Sequence, residues 1–193
     1  MKKLSTYLFL ILFSFQTSSW ADDISDFEIE GMSIGDSLLD YMSETKINAL
    51  KEPFNDRYIV SHEFYSVSIQ GVKLKTYDEV HFYFKPDDKK FYAHSISGYI
   101  DFKNINDCYT KQDEILEELT IHFGNIADKV GGQIRTHPGD KSGKSTIKST
   151  TFYLHDGGGA HVGCYNFSKE LGGSKHLTLE LGSAKYAEFQ MKN

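Results

Sequence analysis

The chain has 193 residues, 39% hydrophobic and 25% charged, with a formal net charge of −6. These are globular proportions, which exclude a disordered chain. Net acidity without a basic stripe argues against binding to nucleic acid or to anionic lipid.

Lys2 and Lys3 precede the apolar run YLFLILFSF (7–15), and SSWA follows it, placing Ser19 and Ala21 at the −3 and −1 positions of a cleavage site. This is the pattern of a secretory signal peptide, residues 1–21, cut after Ala21. The run is shorter than the roughly 20 residues of a membrane span, and no cysteine follows it to carry a lipid. The expected product is soluble and exported, with no membrane span in the mature chain, and the short basic start suits a bacterial periplasm. Removing Lys2 and Lys3 with no acid takes the net charge from −6 to −8. Residues 22–193 suffice for a single α+β domain, with sub-lobes 22–102 and 103–193 as the alternative division.

In SIGDSLLDYMSE (33–44), Ser37 with Asp40 three residues on resembles a capping box, because a serine oxygen accepts an orphan N–H while the acid meets the positive helix end. Ser43 is placed to cap a second short helix carrying Ile47 and Leu50. From Tyr58 to Phe102 the pattern changes to period 2, rich in aromatic and β-branched residues, with turn signals at Gly71 and PDDK (86–89). Pairing Lys85 with Lys90 across that turn sets Phe82 against Ala93 and Phe84 against Phe91. Tyr83, Tyr92, His81 and His94 then share the opposite, semi-polar side, the candidate binding face.

Residues 104–125 predict the longest helix, started by Asn104 with Asp107 and stopped by Gly124, with Ile105, Cys108, Ile115, Leu119 and either Phe123 or His122 on one stripe. Residues 130–146, turn-rich and polar, are expected to form a surface loop. TTFYLHDGGGAHVGCYNF reads as a hairpin. Matching Leu154 to Val162 puts Phe152 opposite Cys164, so that Cys164 faces the helix. KHLTLELG (175–182) is a further strand, and SAKYAEFQMKN ends in a short helix with Tyr186 and Phe189 inward. The order of elements predicts α+β: a short N-terminal helix pair, an antiparallel sheet, one long central helix on that sheet, and a further hairpin. Cys108 and Cys164 are the only cysteines, and in an oxidising compartment they are expected to form a disulfide.

Several motifs imitate chemistry. GDSL at 35–38 matches the tetrapeptide of the GDSL esterases, whose serine ends a buried parallel strand and is served by a late D-x-x-H histidine. Here the approach FEIEGMSI is a poor buried strand, IRTHP has Ile134 where the acid belongs, and Asp156 stands too far from His161. Ser37 is therefore expected to start a helix, and a serine hydrolase using Ser37 is the alternative. GDKSGKST (139–146) lacks one residue of a P-loop spacing and precedes strand-like sequence. The hairpin registers put His155 across from His161 and His81 across from His94. Such pairs can hold zinc or copper, although no third ligand is visible and no cofactor is expected. A periplasmic metal-binding protein is the other alternative.

FEIEGMSIGDSLLDYMSE, YDEVHFYFKPDDKKFYAHSISGYIDF, NDCYTKQDEILEEL, GDKSGKS and the Cys164 hairpin together resemble a group of small exported bacterial proteins with which no activity is associated. The resemblance implies export and the disulfide. A looser likeness, carried by IGDSLLDYMSE and element order, is to α+β envelope folds of the outer-membrane assembly lipoprotein and β-lactamase-inhibitor type, without the lipoprotein's acylated cysteine. With no complete catalytic set in the chain, the expected function is a non-catalytic periplasmic binding or adaptor domain. Its expected partner is an envelope protein, recognised through the exposed sheet face.

Overall fold

The computed structural model of the chain describes residues 23–56, 59–70 and 74–192. Residues 1–21, read from sequence as a signal peptide, lie outside them, as does the turn signal Gly71. The chain is α+β. A two-stranded hairpin, β1 (Glu28–Ile29) and β2 (Met32–Ser33), leads to a short helix α1 (Glu44–Leu50). Then come β3 (Glu52–Asp56), β4 (Ile59–Ile69), β5 (Glu79–Phe84) and β6 (Ser95–Asp101). The long helix α2 (Ile105–Phe123) precedes β7 (Ala127–Thr136), β8 (Thr146–Leu154), β9 (Gly159–Asn166) and β10 (Lys175–Gly182), and α3 (Ala184–Lys192) closes the described chain. β3 to β10 form one antiparallel sheet in the order β3-β4-β5-β6-β10-β9-β8-β7. Two four-stranded meanders thus meet through their last strands, β6 and β10.

Alternation assigns the two faces. On one, Val67, Val80, Phe82, Phe84, Ile96, Val162, Cys164, Leu177, Leu179 and Leu181 are buried in one cluster with Ile29, Met32, Leu38 and Ile47 from the N-terminal segment. Each fully buried aliphatic or aromatic side chain contributes about 1.5–3 kcal/mol. α2 lies on this face over β8, β9 and β10. Cys108 and Cys164 are joined by a disulfide with Cα atoms 6.0 Å apart. One turn on, the buried Gln112 donates from Nε2 to the Lys148 carbonyl at 2.8 Å and the Val162 carbonyl at 3.0 Å. α2 is therefore pinned by one covalent bond and one two-pronged amide clamp.

Several sequence expectations shift. EIEGMS is a hairpin whose turn residues Glu30 and Gly31 both have positive φ, +56° and +78°. Glu30 bears a Cβ that disfavours this conformation. Its carboxylate is held by the backbone N–H groups of Lys75 (2.8 Å), Thr76 (2.6 Å) and Tyr77 (3.0 Å). Ser37 caps a single 3-10 turn, Leu38–Asp40, rather than an α-helix. Ser43 caps α1 and Ile47 is buried, but Leu50 is 44% exposed.

Of the expected loop 130–146, residues 137–145 do form a turn-rich loop, but 130–136 belong to strand β7. This edge strand is almost wholly exposed and carries a bulge at Gly131 and Gly132, so it shows no alternation in sequence. In the hairpin of β8 and β9, Phe152 faces Ala160 and Lys148 faces Cys164, four residues from the expected register. The shift is even, so Cys164 keeps its face. Phe82 faces Ile96 rather than Ala93, an odd shift of three. Its cause is that 91–93 pair with the N-terminal turn: Gly35 N–H donates to the Ala93 carbonyl, Ala93 N–H to the Asp36 carbonyl, and Leu38 N–H to the Phe91 carbonyl.

Candidate functional site

The second face of the sheet is only partly covered. α3 packs over Phe54, Phe64 and Tyr83 through Tyr186 and Phe189, a second core cluster. Beyond α3 the floor is made of small residues: Ser97 on β6, Thr178 on β10, Gly163 on β9 and Ser149 on β8. Across this floor runs a ribbon of half-buried rings. His81 lies 4.9 Å from Tyr99, Tyr99 6.3 Å from His176, and His176 is stacked on Tyr165 at 5.0 Å and 15°. Phe167 continues the stack 5.9 Å from Tyr165, and His137 reaches Phe167 at 5.1 Å. A Cβ at Gly163 would collide with the Tyr165 ring, so glycine is what lets that ring lie along the sheet.

Polar groups flank the ribbon. Glu79 Oε1 accepts from Ser68 Oγ, from Gln70 Nε2 at 2.7 Å and from His81 Nε2 at 2.8 Å. Burial pushes the Glu79 carboxyl up, but these donors together hold it below the usual range. Glu180 accepts from Ser97 Oγ at 3.0 Å. Tyr99 is pushed up to about 12 by burial and then by Glu180. A cleft of about 370 Å³ adjoins His81 between α1 and the edge of β4, lined by Met42, Lys46, Leu50, Ser66 and Ser68 among others.

His161 lies deep in this face. Its Nδ1 is 2.9 Å from Thr151 Oγ1 and its Nε2 3.5 Å from the Tyr165 hydroxyl. Burial, and then the positive charge of Arg135, lower its pKa from 6.5 to about 4. The unfolded chain therefore takes a proton near pH 6.5 that the folded chain refuses until about pH 4. Its stabilising contribution is complete above pH 6.5 and declines as pH falls through that window, by up to about 3 kcal/mol. Urea unfolding between pH 7 and 4 is expected to show this decline, and His161→Gln is expected to flatten it. An identical slope in the variant would remove His161 as its source.

The sequence-derived candidates separate in space. His81 lies on the open part of this face, opposite Ser97, whereas Tyr83, on the same side of β5, is buried beneath α3 and so is no part of an exposed binding surface. His94 contacts Ser183 Oγ at 3.2 Å and the Phe64 ring at 5.5 Å, beside α3. Tyr92 leaves the sheet to bridge with Ser37, its N–H held by Asp88. His155 sits in an exposed turn, donating its N–H to the Ile126 carbonyl, while His161 faces Thr151 and Glu180. Neither histidine pair therefore stands face to face. Among the described residues, no three His, Cys, Asp or Glu side chains gather in a metal-holding arrangement.

The GDSL turn is occupied by structural work. Ser37 Oγ donates to the Lys90 carbonyl at 2.6 Å and accepts from Leu39 N–H at 3.2 Å. Asp36 accepts from Ser33 N–H at 2.8 Å and from the Tyr41 hydroxyl at 2.7 Å. A serine whose proton is committed to a carbonyl lacks the base that nucleophilic attack requires. Purified protein is expected to stay unlabelled by a fluorophosphonate probe, and labelling abolished by Ser37→Ala would restore the hydrolase reading.

The P-loop-like stretch is also closed to an anion. The Asp140 carboxylate accepts from Ser142 N–H at 2.8 Å and Ser145 N–H at 2.7 Å, and the Ser145 and Ser142 side chains, followed by these N–H groups, hold it well below the usual carboxylate range. Lys144 pairs with Glu170 at 2.7 Å. A phosphate there would meet a negative charge where it needs free donors.

Tyr99, Gly163, Tyr165 and His176 were not legible as site residues from motifs. Their signal is parity: each alternates with a core residue whose face the helix fixes. No helix of the described chain is long and apolar enough to cross a membrane. Compared with protein-family models, with curated proteins and with solved structures, the chain finds no match.

Proposed function

We propose that the chain is an exported, non-catalytic binding or adaptor module of the bacterial periplasm that recognises an envelope protein through the open face of its sheet. The observation that carries this reading is the ring ribbon from His81 to Phe167, half-exposed over small residues beside α3. Aromatic rings backed by polar tips supply large contact area at low entropic cost, the composition of binding hot spots. The buried disulfide suits an oxidising compartment.

The test is capture from envelope extract by wild-type protein and by a Tyr165→Ala/His176→Ala variant of unchanged far-UV spectrum. The reading expects a specific partner whose retention falls at least tenfold in the variant. Equal retention of the same proteins would move the binding surface elsewhere.

A further inference from the structure

The open face is electrostatically lopsided. Glu79 on β5 stands directly opposite Tyr99 on β6, and Asp101, two residues along β6, stands opposite His176 on β10. Glu180 is opposite Ser97, the other same-face neighbour of Tyr99. Opposed side chains on a sheet are about 5 Å apart and diagonal ones about 7–8 Å, so Glu79 and Glu180 flank the Tyr99 ring while Asp101 stands beside His176 at the end of the same sector. His81 lies 2.8 Å from Glu79 and Lys46 lines the adjoining cleft, which leaves Asp101 and Glu180 as the carboxylates farthest from a cation, and two further cations on this face are engaged elsewhere. Lys85 pairs with Glu63 at 2.8 Å near α3, and Arg135 lies three strands beyond β10, donating to Ser149 Oγ at 3.2 Å. The whole chain is net acidic as well, at −6.

An aromatic face ringed by carboxylates attracts cations twice over, through the ring quadrupole and through charge. We infer that the β5–β6–β10 sector docks an arginine- or lysine-bearing segment of a partner protein, with one cationic side chain set over Tyr99 among Glu79, Asp101 and Glu180. This deepens the binding reading above and rests on it. Arginine fits better than lysine, because its planar fork stacks on the ring while donating to two carboxylates. The rings spread across β5, β6, β10 and β9 rather than enclosing a cavity, which suits a protein segment better than a small free cation. Long-range attraction to the acidic sector speeds encounter and makes the association salt-sensitive.

The test is fluorescence anisotropy with two nine-residue probes, one of Arg, Gly and Ser and one of Glu, Gly and Ser, at low and moderate salt. The basic probe is expected to bind, to weaken at least tenfold with added salt, and to lose at least tenfold in Glu180→Gln/Asp101→Asn. A control, Glu114→Gln/Glu117→Gln on the outer side of α2, is expected to change affinity less than twofold. Tyr99→Leu, which keeps every charge, is expected to weaken binding several-fold.

Equal losses in face and control variants would reduce the effect to net charge and overturn the inference. So would preference for the acidic probe, or a dimer in sedimentation that neither probe disturbs. If the basic probe fails while capture from extract still depends on Tyr165 and His176, only the partner's chemistry falls. If capture is indifferent too, the binding face itself falls.

Discussion

Replacing Cys108 and Cys164 together by alanine is expected to lower the unfolding free energy by about 4 kcal/mol. The bridge closes a segment with a sequence separation of 56, and the chain-entropy model puts such a closure at ~4 kcal/mol. Both sulfurs sit in the core between α2 and β9, so the variant also loses packing there. Gln112 still holds the helix to β8 and β9 through two carbonyls, so the expected product is a weakened fold rather than an unfolded chain. Urea unfolding of oxidised and double-variant protein measures the difference. A loss below about 1 kcal/mol would mean that packing alone seats α2 and that the crosslink adds little.

Tyr186→Ala is expected to cost about 3–5 kcal/mol, the range for truncating a large buried aromatic. Tyr186 is 1% exposed and lies 5.2 Å from Phe64 and 5.4 Å from Tyr83, centroid to centroid. It and Phe189 are the means by which α3 covers its share of the open face. The variant should therefore bind a hydrophobic dye that the wild type does not, since Phe54 and Phe64 lose their cover. Tyr186→Phe keeps the ring and loses the hydroxyl that accepts from Gln190 at 3.0 Å, with an expected cost of about 0.5–1.5 kcal/mol. If alanine cost no more than phenylalanine, α3 would be an ornament on the sheet and the second cluster would not be a core.

The parts of this fold that were legible are those with strong periodicity and explicit caps. Asn104 and Gly124 bound α2 as expected, KHLTLELG is β10 residue for residue, and α3 turns Tyr186 and Phe189 inward. What escaped lacks a periodic signal for a physical reason. β7 is an edge strand with both faces wet, so nothing selects alternation, and its twin glycines read as loop. β3 carries Pro53, which an edge strand tolerates but which weakens a strand assignment. The hairpin of β1 and β2 turns on Glu30 and Gly31, and glutamate is not a residue expected at positive φ.

The turn between β5 and β6 misled for another reason. PDDK suggests a tight hairpin, but Asp88 accepts from the N–H groups of Lys90 and Tyr92, and Phe91 turns to φ +51°. The segment is thereby diverted to the N-terminal turn, which no local pattern reveals. The open face shared this fate in part. Alternation around Cys164 and along Leu177, Leu179 and Leu181 already sends Gly163, Tyr165, His176 and Glu180 to the other side. Which of those residues meet across strands depended on registers that sequence did not fix.

The most direct test of the binding face reads its histidines. With 15N-labelled imidazoles, addition of the partner retained from envelope extract is expected to shift His81, His137, His161 and His176, which share the open face, and to leave His62, His122 and His155 in place. Shifts confined to His122 or His155, with the four face histidines unmoved, would contradict the account.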